Sequence, residues 1–363
     1  MSDNDKQQLL AIRDKIDAID SNILSLINQR AKAAQEVAEI KLAADPNAFF
    51  YRAEREAQVL RSVKADNPGP LPNESVAVLF REIMSMCLAL EQPMKIGFLG
   101  PAGTFSQSAA IKFFGHAVTT FGLPSIADVF HEVEAGHCSY GAVPVENSTE
   151  GVISHTLDLF LNSNLKICGE VSLRINQHLM AQQEEIKAIK IIYSHQQSLA
   201  QCRSWINQNC PHVETIAVAS NAEAAKLASQ NIESAAIAGE TAAEIYQLKQ
   251  LANNIEDEPG NTTRFLIIGK QKVGVSGQDK TSLLISVKNK SGGLYQMLKP
   301  LKDNNISMTK IESRPSKRGM WDYVFFIDIE GHQQDKAVQK TFNELKEQVA
   351  FMKILGSYPQ AVI

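Results

Sequence analysis

Three short runs in the middle of the 363-residue sequence gather hydroxyls, amides and charge where the backbone must turn. Residues 100–106 (GPAGTFS) follow a short apolar stretch and precede a helical one, so backbone N–H groups and the hydroxyls of Thr104 and Ser106 sit at a helix N-terminus, a place suited to an anion. The run lacks the Lys of a P-loop and the spacing of a dinucleotide fingerprint, which disfavours a nucleotide. Residues 143–151 (VPVENSTEG) set Glu146, Asn147, Ser148 and Thr149 after a second apolar strand, where ligands collect in an open α/β sheet. Residues 261–269 (NTTRFLIIG) bring Thr263 and Arg264 to the start of a third. Each alone could be a capped turn or a strand end; three in one region point to a polar ligand.

A second set is cationic. Arg13, Arg30 and Lys41 lie on one helical stretch, and Arg13 is roughly 25 Å from Arg30 along its axis, too far for one small ligand to touch both. Arg30 and Lys41 are eleven residues apart, close to three turns, and project from nearly the same face. If the three share a site, Arg13 must come from a neighbouring chain; ordinary solvated helix charges are the other reading. A third set, residues 291–298 (SGGLYQML) and 312–315 (ESRP), falls at a strand-to-helix turn and a strand end, which could also be plain turn glycines and an exposed pair.

The elements that must position these residues change character along the chain. Over 9–42 the apolar residues Leu9, Ile12, Ile16, Ile19, Ile23 and Leu26 recur every three or four positions, which predicts one long amphipathic helix. Two more helices are expected over about 51–63 and 74–90, and such a trio makes a poor solitary core unless helices are exchanged between two chains. Strands at 95–99, 142–145, 165–171, 189–194, 235–238 and 264–268, with helices between most of them, predict an α/β unit of two lobes around a cleft. Residues 270–280 read as a linker. The remainder follows the order βαββαβ of a ferredoxin-like α+β unit, with strands at 282–287, 307–314, 322–329 and 352–358 and helices at 294–303 and 335–348.

Composition sets the outer bounds. With 44% apolar and 21% charged residues and a formal net charge of -4, this is an ordinary globular chain without the electrostatic footprint of a nucleic-acid binder. No apolar stretch is long enough for a membrane span and the first residues lack a secretory h-region, so a cytoplasmic location is expected. Cys87, Cys138, Cys168, Cys202 and Cys210 are scattered without a CxxC pair, so neither a disulfide framework nor a zinc site is expected.

Residues 49–60 (FYRAEREAQVL within them) and 79–92 (LFREIMSMCLALEQ) resemble the all-helical chorismate mutases fused to prephenate dehydratases. The GPAGTFS, ENST and TRF runs resemble prephenate dehydratase, and the GGLY and ESRP runs resemble the GALV and ESRP motifs of the ACT domain attached to it. The resemblance implies an intertwined helical mutase domain over 1–92, a two-lobed periplasmic-binding-protein-like dehydratase domain over 93–271 and an ACT regulatory domain over 279–363. In the mutase it implies that Arg13 of a partner chain and Arg30 grip the chorismate carboxylates, that Lys41 and Glu91 flank the ether oxygen, and that Arg55, Glu56 and Cys87 complete the pocket. Glu91 stands where some members carry an amide, and a carboxyl can donate there only when protonated, so activity favoured by acid is expected.

In the dehydratase the resemblance implies Thr263 as the catalytic hydroxyl, with Thr104, Ser106, Asn147, Ser148, Ser194 and Arg264 arranging prephenate. His195 is a rival acid in a YSHQQ stretch where the family has YSHPQ, Gln196 replacing the proline. In the ACT domain Gly292, Gly293, Leu294, Tyr295, Glu312, Ser313, Arg314 and Pro315 are implied to bind L-phenylalanine as a feedback inhibitor between two copies. No cofactor or metal is expected, and a homodimer or higher even-numbered oligomer is. Two alternatives remain at this point: a non-catalytic receptor built from a solute-binding domain, in which the helical trio has no purpose, and an enzyme with one degenerate catalytic domain.

Overall fold

A computed structural model describes residues 2–45, 48–149, 151–287, 291–315 and 323–362. Glu150 of the 143–151 run and Asp322 of the strand expected at 322–329 lie outside them, as do Met1 and Ile363.

Three helices open the chain: α1 (Asp3–Ala44), α2 (Ala53–Asp66) and α3 (Asn73–Glu91). Helix α1 starts at Asp3, ahead of the first stripe residue Leu9, because Ser2 and Asp5 form a reciprocal capping box. Its stripe is real but uncovered. Leu9, Ile12, Ile16, Ile19, Ile23 and Leu26 are 42–63% exposed, and within α1 only Ala38 is buried among the described residues.

The chain then alternates β1 (Lys95–Leu99), α4 (Phe105–Phe114), β2 (Thr119–Leu123), α5 (Ile126–Ala135), β3 (Tyr140–Asn147), a short β4 (Gly151–Val152), α6 (Ser154–Phe160) and β5 (Lys166–Arg174). It crosses into a second lobe made of β6 (His178–Ala181), β7 (Ile191–His195), α7 (Gln196–Gln201), α8 (Arg203–Asn209), β8 (Glu214–Val218), α9 (Asn221–Ala228), β9 (Ser234–Ala238), α10 (Glu240–Tyr246) and β10 (Lys249–Ala252). It returns to the first lobe with β11 (Thr262–Gly269). The first sheet has the order β2-β1-β3-β11-β5, with β1 parallel to both neighbours and β11 antiparallel to both of its own. The second has the order β10-β6-β9-β7-β8. Because β11 threads between β3 and β5 after the excursion through the second lobe, residues distant in sequence become neighbours on one sheet. Strands β3 and β11 are buried nearly throughout, as strands covered on both faces must be.

The last unit consists of β12 (Asp279–Ser286), α11 (Gly293–Asp303), β13 (Met308–Pro315), β14 (Tyr323–Glu330), α12 (Lys336–Gln348) and β15 (Phe351–Pro359), in the antiparallel order β13-β14-β12-β15 expected of a ferredoxin-like sheet. Its two faces go to different partners. Leu283, Ile285, Ile327 and Ile329 pack under α11 and α12, whereas the alternate residues Leu284, Val324, Phe326 and Tyr358 share a core with Val143, Val145 and Leu266 of the first lobe.

The three units are therefore welded, and the 270–280 stretch is no free tether. Gln271, Val273 and Ser276 are buried, and Arg61 of α2 donates to the carbonyls of Ser276 and Gln278 at 3.1 and 2.9 Å. On the other side Tyr51 stacks edge-on into Phe113 and Tyr140, with ring centroids 6.2 and 5.6 Å apart. Two glycines permit the close approaches. A Cβ on Gly115, whose φ is +80°, would lie 2.5 Å from Ser85 Cβ of α3, and one on Gly356 of β15 would lie 2.2 Å from the Ile167 carbonyl of β5. The five cysteines are free and buried. No helix among the described residues is long and apolar enough to cross a membrane.

Candidate active site

The two lobes of the central unit face each other across a cleft of about 1180 Å³ whose lining includes Thr104, Ser106, Asn147, Thr263 and, from the far side, His195 and Asn221. Thr263 lies opposite Asn147 across the β3–β11 ladder. Asn147 Nδ2 donates to Thr263 Oγ1 and to Asn261 Oδ1, each at 2.8 Å, while Asn147 Oδ1 accepts the Thr149 backbone N–H at 2.9 Å. That backbone contact fixes the orientation of the amide, since an N–H needs the oxygen side. Thr263 Oγ1 is thus already an acceptor, and its own hydrogen finds no acceptor among the described residues. At 7% exposure Thr263 is held in the cleft wall, and its hydrogen can be directed at a ligand there.

The other residues expected here divide. Ser106 is buried in the first turn of α4 and Thr104 donates to the Leu99 carbonyl at 2.9 Å, tying β1 to the helix start; both line the cleft. Ser148 accepts the Thr262 N–H at 2.9 Å at the exposed strand end, and Ser194, fully buried, donates to the Ile237 carbonyl of β9 at 2.7 Å; neither lines the cleft. His195 Nδ1 caps α7 by accepting the Gln197 N–H at 3.4 Å. Gln196 is the first residue of α7, a position proline also suits, which accounts for the exchange between them.

Arg264 is the largest departure from expectation. Successive strand residues point to opposite faces, so with Thr263 in the cleft Arg264 must point away from it. It is buried against the C-terminal unit, with Nη2 2.7 Å from Glu170 Oε2, Nη1 2.6 Å from Asp328 Oδ2 and Nη2 donating to Tyr358 Oη at 3.1 Å. Arg264, expected to arrange prephenate, therefore does not line the cleft. Among the described residues lining the cleft, the Lys or Arg is Lys226 of α9, which sequence reading passed over. It also passed over a network in which Asn221 accepts the His195 N–H at 3.0 Å and donates to Ser198 Oγ at 2.9 Å, with Gln177 Nε2 on the same hydroxyl at 3.1 Å. Only Asn261 stood in a run already singled out.

In the helical unit Glu91, Lys41 and Arg30 come together. Burial pushes the Glu91 carboxyl up from its ordinary range, against the nearby charges of Lys41 and then Arg30. Lys41 is steadied by the Phe50 carbonyl at 3.3 Å and by the Phe50 ring, 5.6 Å from its centroid. Arg13 is exposed on the same unbroken helix as Arg30, Arg55 is exposed, and Cys87 is buried. Glu56 faces elsewhere. Its Oε1 lies 3.4 Å from Arg81 Nε, and Arg81 donates to the Lys112 carbonyl of the central unit at 2.7 Å, so the pair belongs to the seam between units rather than to the Arg30–Lys41–Glu91 group. Burial, outweighing Arg81, pushes the Glu56 carboxyl up to about 7.

The two runs of the C-terminal unit meet by register. Ser286, which leads toward α11, and Arg314 both lie opposite Val324, so the two strand ends share one end of the sheet. Gly292 takes φ +77° as the N-cap of α11 and Gly293 is its first residue, with Leu294 and Tyr295 exposed beyond it. Glu312 and Arg314 are not an exposed pair: both are half-buried on the inward face of the edge strand β13, flanking an outward Ser313, and Pro315 ends that strand. Arg314 reaches Ser154 Oγ and, at 3.3 Å, Asp158 Oδ1 of α6.

Residues 12–92 match the chorismate mutase type II family, residues 96–273 the prephenate dehydratase family and residues 281–347 the ACT domain family. A bifunctional chorismate mutase/prephenate dehydratase of Stutzerimonas stutzeri is 53% identical over 364 residues, covering 99% of this chain and 100% of that one. Among solved structures, the prephenate dehydratase from Arthrobacter aurescens in complex with L-Phe is 30% identical with a TM-score of 0.67, over 73% of this chain and 90% of that one. GqqA, described as a novel type of quorum quenching acylase, is 27% identical with a TM-score of 0.68, over 74% and 98%. With all three units matched and the whole length covered at half identity, the chain belongs to the family of bifunctional chorismate mutase/prephenate dehydratases.

Proposed function

We propose that the chain converts chorismate to prephenate on Arg30, Lys41 and Glu91, and prephenate to phenylpyruvate in the cleft under Thr263. The first step is a unimolecular rearrangement that needs no nucleophile. It needs the substrate held folded, its carboxylates neutralised, and charge on the breaking C–O bond met by Lys41 and a protonated Glu91. Arg13 joins that site from a second chain, and the stripe from Leu9 to Leu26 is where the two chains pair. Burying six half-exposed apolar side chains contributes on the order of 5 kcal/mol to such pairing.

The second step breaks the ring C–OH and C–carboxylate bonds: carbon dioxide departs, its electron pair completes the aromatic ring, and hydroxide leaves as water with a proton from solvent. A threonine is too weak an acid to supply that proton itself, so Thr263 acts as a hydrogen-bond donor to the departing oxygen. The Asn147–Thr263 bond carries this reading, because it occupies one lone pair of the hydroxyl, fixes the oxygen in place and leaves its hydrogen for the cleft. Neither step calls for a metal or cofactor. L-Phenylalanine, bound where the starts of α11 and the end of β13 meet, acts as the feedback inhibitor by favouring one of two states of the enzyme.

One assay tests the whole reading: supply chorismate, follow prephenate and phenylpyruvate, and repeat with phenylalanine. Prephenate should rise and then fall as phenylpyruvate accumulates, and phenylalanine should slow the second phase. Accumulation of prephenate without phenylpyruvate defeats the cleft assignment, and no phenylalanine effect on rate or assembly defeats the effector assignment.

A further inference from the structure

The two strands that carry the cleft pair share a second feature. On β3 the residue next to Asn147 is Glu146, and on β11 the residue next to Thr263 is Arg264; the two are opposite one another in the ladder. Alternation turns both away from the cleft. Both are taken up by the C-terminal unit: Lys310 Nζ of β13 lies 2.6 Å from Glu146 Oε2, and Asp328 of β14 holds Arg264 at 2.6 Å. Behind Arg264 the network closes on itself. Glu170 also binds Lys280 at 2.7 Å, and Ser282 Oγ donates to Asp328 Oδ1 at 2.5 Å and lies 2.8 Å from Tyr358 Oη. Two cations and two carboxylates balance, and the Arg264, Glu170 and Asp328 side chains are 15%, 6% and 11% exposed, so water does not screen the contacts. Just beyond these contacts the ladder slips by one residue, Phe265 lying opposite Pro144, an irregularity of the kind that re-aims side chains beside active sites.

We propose that Glu146 and Arg264 are positioning residues through which the C-terminal unit sets the placement of Asn147 and Thr263. Lys310 shares the inward face of β13 with Glu312 and Arg314, at steps of two residues, so a ligand that shifts the end of β13 moves the group bonded to Glu146. The ionic contacts make this strand a lever on the cleft rather than a remote neighbour. A displacement of about 1 Å at the reacting groups is enough to cost a large factor in rate. The inference rests on the reading of Thr263 and of the effector site given above.

The test uses the full-length protein and three variants: Lys310→Met, Glu146→Lys, and the exchange Glu146→Lys with Lys310→Glu. In Lys310→Met the dehydratase kcat should fall about tenfold with KM for prephenate little changed. Phenylalanine should no longer inhibit, although calorimetry finds its Kd within about threefold of the unaltered protein, because binding and response have been uncoupled. The mutase rate and melting temperature should hold. Glu146→Lys should share these losses, and the exchange should restore both kcat and inhibition, which a merely structural role would not do. The proposal is overturned if Lys310→Met and Glu146→Lys both keep kcat and inhibition within about twofold, or if the exchange restores neither. Should the unaltered protein ignore phenylalanine, the effector reading fails separately, and kcat with its restoration by the exchange still decides the positioning role.

Discussion

Replacing Thr263 with Val is the sharpest perturbation of the cleft, because it removes one oxygen and keeps the shape. Two consequences can be sized from the contacts. In the folded protein Asn147 Nδ2 loses one of two acceptors but retains Asn261 Oδ1 at 2.8 Å, so the stability cost is about 1 kcal/mol, the scale of one hydrogen bond with a partner left over. In the reaction the leaving oxygen loses a donor held in a buried site, and loss of such a donor costs about 3 to 4 kcal/mol, or 10² to 10³ in kcat. Because the charge on the leaving oxygen develops only as the bond breaks, the loss should fall on kcat while KM for prephenate changes little. The assay follows phenylpyruvate from prephenate, with chorismate consumption by the same sample as the control. Thr263→Ser, which restores the hydroxyl, should recover most of the rate. A Val variant that keeps its dehydratase kcat within about threefold would refute the role of the hydroxyl, and one that loses the mutase rate as well would trace the loss to unfolding.

Three further outcomes follow from the same contacts. The Glu91 carboxyl is raised by burial and donates only when protonated, so mutase activity should fall as pH rises through its pKa, and Glu91→Gln should flatten the profile; a flat profile from about pH 5 to 8 in the unaltered protein counts against this. Glu56 is raised to about 7 at the seam between units, so the folded state holds a proton that the unfolded state releases, and stability present below about pH 4.5 declines by up to about 3 kcal/mol as pH approaches 7. Melting temperatures across that range should show the decline and Glu56→Gln should lack it; identical pH dependence in both proteins removes Glu56 as the cause. If the mutase site is shared between chains, mixing inactive Arg13→Ala and Arg30→Ala proteins with exchange of chains should recover about a quarter of full activity, since half the dimers are mixed and each has one intact site. No recovery after verified exchange would place both arginines in one chain's site.

How far the sequence discloses these sites depends on which physical signal each residue leaves. The stripe from Leu9 to Leu26 is legible because a period of 3.6 belongs to the helix itself, and its exposure here shows only that none of the described residues covers it. The cleft pair is legible through motifs, yet Asn147 and Thr263 are 116 residues apart, and their bond exists because β11 returns from the second lobe to lie against β3. Arg264 shows where a motif misleads. Adjacent motif residues invite a shared role, but the period of two on a strand sends neighbours to opposite faces. What no local pattern could supply was the occupant of the far face, because Glu170 comes from the neighbouring strand β5 and Asp328 and Tyr358 come from the C-terminal unit. Glu56 fails for the same reason: its spacing beside Arg55 is that of a pocket residue, whereas Arg81 and the Lys112 carbonyl, which decide its direction, belong to another helix and another unit. Gln177, Ser198 and Asn221 leave no periodic signal at all, since each is a lone polar residue whose role arises only when the second lobe turns it toward the cleft. Arg264 and Glu56 thus bind one unit to the next, and in a chain with three coupled units such residues are also those through which one site can feel another.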